Sequence, residues 1–246
     1  MSSATQPARV TTHFRETPRK SDRIFYCGFS IAAIGAVIAG FGQRYYFPAL
    51  SGVSTHPLTT HLHALAFSAW MALFAVQSAL IAARRVRAHR TLGILGVILG
   101  AVILAVGYSA AIVGARTGWV GANNPRDLTG ALGFLVVPLG DLVLFAGFFG
   151  AAIYYRGQPE LHKRLMILAM MGGILAAPLA RIPFPYGLII SLALLFAGPV
   201  YDRLSRGQIH RAYLWGVPLV LLSFPVRLLI GTQSQTWSRF AAWLIH

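Results

Sequence analysis

The chain has 246 residues, of which 56% are hydrophobic and only 11% charged. A soluble domain carries about 25% charged residues, and a soluble chain this apolar would expose patches that drive aggregation. Mean hydropathy of +0.64 and a length suited to one helical bundle therefore exclude a soluble enzyme. The net charge of +15 does not indicate a nucleic-acid binder, because the cations fall in short clusters between apolar runs, the pattern of cytoplasmic loops.

Residues 1–23 are polar, with Pro7, Pro18 and five Lys/Arg, and read as a flexible cytoplasmic tail. The first apolar run, about 24–46, exceeds the 7–15 residues of a signal-peptide core and reads as an anchor that is retained. It holds Cys27, the single cysteine, which rules out an intrachain disulfide and any CxxC motif. Spanning a bilayer takes about 20 apolar residues. Further runs of that kind are predicted at about 60–83, 91–115, 129–155, 163–181, 185–202 and 211–231. Asn123-Asn124-Pro125 reads as a polar turn. Arg181-Ile182-Pro183-Phe184-Pro185 reads as a tight link, where proline is tolerated because a helix ends. Residues 232–246 are too short to span. Trp237, Phe240, Ala241 and Leu244 recur at helical spacing there, which predicts a short extracytoplasmic helix in the interface with Trp237 and Trp243 at headgroup level.

The expected fold is thus all-α, a polytopic transmembrane bundle of about seven helices over 24–231. With the N-terminus inside, cytoplasmic segments hold 15 of the 21 Lys/Arg, which puts the C-terminus outside. A weak repeat runs through these segments. His89-Arg90, His162-Lys163-Arg164 and His210-Arg211 each open an outward-running helix.

Polar groups in lipid are costly, so each one is a candidate for function. His61 and His63 open the second run and are candidate metal ligands. Residues two apart lie about 200° apart on a helix, so the two cannot share a site from a regular helix. His63 continues as a stripe through Phe67, Trp70, Phe74 and Gln77, one helix face. Asp141 lies about 12 residues, or roughly 18 Å, past the outer end of its helix, near mid-bilayer. Arg227 and Arg181 are its candidate partners. His63, Trp70, Gln77, Asp141, Arg181 and Arg227 together could line a ligand cavity. At the cytoplasmic side, His89 and His162 would sit at one level and could bind a cofactor as axial ligands of haem iron or as ligands of a metal ion. Gly93, Gly96, Gly100, Gly172 and Gly173 would let a porphyrin or another helix approach. For every one of these residues a structural role competes: interfacial anchoring for the histidines, an ion pair for Asp141, helix packing for the glycines.

No HExxH, Walker loop, GxSxG elbow or nucleotide fingerprint is present, so no reaction is indicated. The last run has no lysine for a retinal Schiff base. The His61-Leu62-His63, Trp70, Gln77, His89-Arg90-Thr91-Leu92-Gly93, Asp141 and Glu160-Leu161-His162-Lys163-Arg164-Leu165-Met166 set resembles a family of uncharacterised bacterial seven-helix inner-membrane proteins, over about 25–230. The histidines at helix starts are also distantly similar to transmembrane b-type cytochromes. That likeness implies haem b or a metal ion as cofactor, with His89 and His162 as ligands and a redox or respiratory-assembly role. A two-haem relay is poorly supported, since the outer side offers only His56 and His246 as further ligands. The alternatives are a transporter or sensor with a cavity around His63, Asp141 and Arg227, or a structural subunit of a membrane complex. In each case the partners are the lipid bilayer and other membrane proteins, not nucleic acid.

Overall fold

The computed structural model describes residues 20–53, 56–117 and 128–246. Most of the expected tail, the Asn123-Asn124-Pro125 turn and Arg126 lie outside the described residues. Those described are almost entirely helical, with no strand among them. The helices are α1 (Lys20–Phe41), α2 (Phe47–Leu50), α3 (Leu58–Ala82), α4 (Val86–Arg116), α5 (Leu128–Phe134) and α6 (Val136–Tyr154). They continue with α7 (Pro159–Ala169), α8 (Ala176–Ala180), α9 (Tyr186–Arg206), α10 (Arg211–Gln233) and α11 (Gln235–Ile245).

Six of the helical stretches are long and apolar enough to cross a membrane: 20–50, 58–82, 86–116, 130–154, 186–206 and 211–233. This is compatible with an integral, multi-pass membrane protein. The outward side chains agree. Leu214, Trp215, Leu219 and Leu222 on α10 are exposed, as are Leu188 and Phe196 on α9. Water would penalise burying so little of this apolar surface; lipid does not.

Prolines explain where the helices break. A proline has no N–H for the carbonyl four residues earlier. Pro48 follows the π-turn of Gly42–Tyr46, Pro178 follows the π-turn of Met170–Ile174, and Pro138 stands four residues after Phe134, where α5 ends. At Met170–Ile174 the Leu175 N–H reaches five residues back to the Met170 carbonyl at 2.9 Å. Pro199, Pro218 and Pro225 lie inside α9 and α10 without ending them. The run expected at 163–181 is therefore α7, a π-turn and α8, rather than one regular helix.

The two ends of the bundle can be called proximal, where α1 begins, and distal, where it ends. Segment α7–α8 runs between the same two ends as α1: Lys163 meets Asp22 at the proximal end, and Pro178 lies against Gly40 at the distal end. The core between them contains Phe29, Trp70, Ile103, Phe145, Leu168, Met170 and Leu175. Small residues let the helices touch. Gly100 receives the Phe149 ring, Gly216 the Leu168 side chain, and Gly173 the Phe145 side chain beside the Asp141 carbonyl. At the distal end α11 is stitched on by its ends. Trp237 Nε1 donates to the Leu132 carbonyl at 3.0 Å, and Arg116 Nε to that of Ile245 at 2.5 Å. Trp237 thus turns onto α5, while Trp243 stays 71% exposed.

A methyl group at Gly40 would lie 2.2 Å from the Pro178 carbonyl oxygen and 2.8 Å from its Cα, both backbone atoms. We expect Gly40→Ala to cost about 1–3 kcal/mol, as overpacking does. Gly147→Ala, which would meet nothing within 4 Å, serves as the control. Thermal unfolding in detergent reads the difference.

Candidate functional site

The first turn of α7 distributes its side chains to several helices. Pro159 occupies one of the first two helical positions, where its missing N–H costs nothing. From there Glu160, His162, Lys163 and Arg164 point in different directions. Arg164 grips Asp202 of α9 with two parallel bonds, Nη2 to Oδ1 at 2.6 Å and Nε to Oδ2 at 2.7 Å, and both side chains are only 1% exposed. Its Nη1 also bonds the Glu160 carboxylate at 2.7 Å and the Glu160 carbonyl. Lys163 donates to Asp22 of α1 at 3.0 Å and to Glu160 at 2.6 Å. Arg206 of α9 holds both oxygens of Asp22, at 2.8 and 2.9 Å, and Tyr201 donates to Asp22 at 2.5 Å. Three carboxylates thus meet three cations, with no net charge left over. Beside them lies a cleft of about 420 Å³ lined by Glu160, Arg164, Asp202, Arg206 and His210.

Electrostatics follow from this packing. Burial pushes the Glu160 carboxyl up, but the bonds from Lys163 and Arg164 outweigh it and hold the group below its ordinary value. Burial, helped by the nearby Arg164 charge, lowers His210. His210 is the N-cap of α10: its Nδ1 accepts from the Ala212 N–H at 3.1 Å, and its own N–H donates to Asp202 at 3.2 Å. The left-handed Gly207 (φ 73°) makes the turn that carries the chain there, a conformation glycine adopts without penalty. Sequence reasoning missed this network. Its available signal was that five of the chain's six acids, Asp22, Glu160 and Asp202 among them, stand within four residues of a basic residue.

His162 belongs to the same turn but faces elsewhere. Its Nδ1–H donates to the Ala152 carbonyl at the end of α6, at 2.7 Å, which leaves the lone pair on Nε2. The His89 ring of α4 lies opposite, 6.4 Å between centroids and with planes at 83°. Gln77 comes from α3: its Oε1 and the His89 Nδ1 are buried without a hydrogen-bond partner, and its Nε2 lies beside Gly93, one turn from His89. Burial lowers His162, against the opposing bond to Ala152. His210, the third histidine of the repeat, caps α10 and makes no ring contact with this pair.

The other expected residues do not gather into one site. His61 bonds Tyr45 at 2.9 Å, whereas His63 stacks on Phe67 at 4.2 Å with its Nδ1 unpartnered. Trp70 is core: Nε1 donates to Met170 Sδ at 3.1 Å, and its ring meets Phe145 and Phe149 edge-on. Asp141 pairs with Arg227 at 2.7 Å, and Arg227 also donates to the Val137 and Ser223 carbonyls. Arg181 takes no part in that pair. It bonds the Ala177 carbonyl at 2.9 Å and lies over the Phe41 ring. Neither Asp141 nor Arg227 has a bond to His63. Among the described residues no group of three or more His, Cys, Asp or Glu could hold a metal ion, so any proximal ion would rest on the two imidazoles and a neutral donor.

No known protein family, curated protein or solved structure shows significant similarity to the chain.

Arg164→Met leaves the buried Asp202 carboxylate only its longer contacts, to Arg206 at 3.2 Å and to the His210 N–H at 3.2 Å, and we expect it to cost about 3–5 kcal/mol. The double variant Arg164→Met/Asp202→Leu should recover most of that, as denaturation in detergent would show. Acid should also destabilise the protein. His210 and Glu160 both have folded-state values below the unfolded ones, so the unfolded chain takes up protons first. Stability present at pH 7 should begin to fall below about 6.5 through His210, and again below about 4.5 through Glu160. Unfolding midpoints across pH 7 to 4 check this; His162 is lowered by burial as well, so His210→Asn should shrink the upper step rather than remove it.

Proposed function

We propose that this protein crosses a bacterial inner membrane seven times and holds a transition-metal ion between His89 and His162, near the cytoplasmic face, for a redox or respiratory-assembly role. The seventh crossing is α7–α8, supported by its contacts with both ends of α1. The 15 to 6 distribution of Lys/Arg supports a cytoplasmic N-terminus and an outer C-terminus. The resemblance carried by the HxH, HRxLG and HKRLM motifs points to the same class.

The observation that carries the ligand is the meeting of two imidazoles from different helices. Metal–nitrogen bonds of about 2.0–2.1 Å on either side of an ion account for about 4 Å. Two half-rings supply the rest of the 6.4 Å between centroids. The His162 Nδ1–H bond to Ala152 is the outer-shell contact that fixes the tautomer and orientation of a metal-ligating histidine. Gln77 Oε1 is a neutral oxygen suited to completing the set. A bare ion fits better than a porphyrin, because the glycine face of α4 is already filled: Leu73 packs at Gly96 and Phe149 at Gly100. Bound there, an ion could accept and release an electron. The protein would supply a dry, preorganised pair of neutral ligands.

Protein purified in detergent from cells supplied with iron, copper and zinc should carry about one transition-metal ion per chain. His89→Ala and His162→Ala should each reduce it at least 10-fold, the scale on which even outer-shell changes act. A Soret band lost in both variants would keep the histidine pair and make the ion a haem iron. Absence of both metal and Soret band would end the proposal.

A further inference from the structure

Arg181, at the distal end, is a cation without a counter-ion. It is half-buried, and among the described residues the four side-chain carboxylates, Asp22, Glu160, Asp202 and Asp141, are bonded to other cations. Its Nη1 donates to the Ala177 carbonyl, and its guanidinium lies 4.6 Å from the centroid of the Phe41 ring. No other described residue accepts from it. The Nε–Nη2 edge, the kind that pairs side by side with two oxygens of a carboxylate or phosphate, is therefore unengaged. A partly desolvated charge in that state is costly and calls for an anion.

The backbone gathers two more polar groups around it. The approach of Gly40 to Pro178 fixes the end of α1 against α8, so the π-turn of Gly42–Tyr46, which carries Arg44, begins beside Arg181. The Tyr46 hydroxyl and Ser68 Oγ share a hydrogen bond of 2.8 Å, which ties the same turn to α3, the helix that His63 opens. The Arg44 charge acts on Arg181, and the Arg181 charge acts on His63. His63 Nδ1 is buried with no hydrogen-bond partner. Two like charges thus repel each other close to an unsatisfied imidazole, and no carboxylate among the described residues relieves them.

We propose that Arg181, Arg44 and His63 form a phosphate site at the distal end, occupied by the headgroup phosphate of an anionic lipid. Arg181 offers its open edge to two phosphate oxygens. Arg44, exposed on the π-turn, adds a second positive charge, and His63 adds an N–H when Nδ1 carries the proton. The surroundings favour a lipid over a soluble anion. Phe184 and Tyr186, just after Arg181, and Phe47 and Leu50, just after Arg44, are all exposed. Aromatic side chains at the ends of membrane-crossing helices lie at headgroup level, the level of lipid phosphates. The site shares no residue with His89–His162, which lies at the proximal end, so neither depends on the other.

The test titrates full-length protein in nonionic detergent with phosphatidylglycerol, with phosphatidylcholine and with inorganic phosphate, read by native mass spectrometry and by the unfolding midpoint. Phosphatidylglycerol should bind and raise the midpoint more than either of the others. Arg181→Met should weaken that binding about 10-fold, the worth of one hydrogen bond to a charged group. Arg44→Met should weaken it about fivefold, the worth of one basic residue at an anionic lipid surface. Arg239→Met, which removes an exposed charge from α11 at the same end, should leave it unchanged. In lipid-free detergent Arg181→Met should be no less stable than the parent, because it removes an uncompensated charge. A lower midpoint there, with the lipid response intact, would make Arg181 a structural residue and overturn the proposal. If Arg181→Met does not fold, Arg181→Lys, which keeps the charge and loses the planar fork, should still bind the lipid more weakly. Equal binding of the two lipids, or a midpoint raised as far by inorganic phosphate as by phosphatidylglycerol, would also overturn it.

Discussion

The bundle depends on a buried guanidinium. Arg164, 1% exposed, lies where an unpaired charge would carry a desolvation penalty of several kcal/mol. Its bidentate bond to Asp202 is what allows α7 to sit inside at all. Because Arg164 is locked to α9, its neighbours in the same turn are locked too: Lys163 onto α1 and His162 onto the end of α6 and toward α4. Helix interiors tolerate sliding when the contacts are only methyl groups, but a directional ion pair does not slide. The meeting of His162 with His89 is thus a by-product of how Arg164 is satisfied.

Prolines perform the complementary task at the other end. The Pro48 and Pro178 breaks lie close together, since Gly40 packs on Pro178, and each loosens its helix by one turn. At Pro48 the released Arg44 carbonyl accepts from His56 Nε2 at 3.3 Å. At Pro178 the π-turn presents Gly172 and Gly173 to α6, where Phe145 and Leu144 fill the space. The glycines that could have admitted a flat cofactor therefore admit side chains, and the bundle is tight through its middle.

Helical content and the apolar runs were readable from composition and spacing, because lipid imposes a simple rule on length and polarity. The His89 and His162 juxtaposition was readable in outline, since both stand at helix starts in the same basic context. Asp141 had two candidate partners. The choice fell to Arg227 because α10 crosses α6 at Gly140, where the arginine side chain lies against the glycine, while Arg181 turns back onto its own helix. The proximal ion network was not readable. Lys163, Arg164 and Arg206 look in sequence like solvated loop charges, and only the folded geometry shows Arg164 to be enclosed.

The Arg164–Asp202 bond joins residues 38 positions apart, and this has a consequence for biogenesis. A ribosome adding about 5–20 residues per second makes the arginine some 2–8 s before its counter-ion exists. During that interval Asp22 and Glu160 are the only carboxylates of the network already synthesised. Until α9 follows, Glu160 on the same turn is the carboxylate at hand to answer the Arg164 charge, and the enclosed position of α7 is not complete. Assembly of this protein is to that extent ordered by charge, with the last third of the polypeptide licensing the burial of its middle.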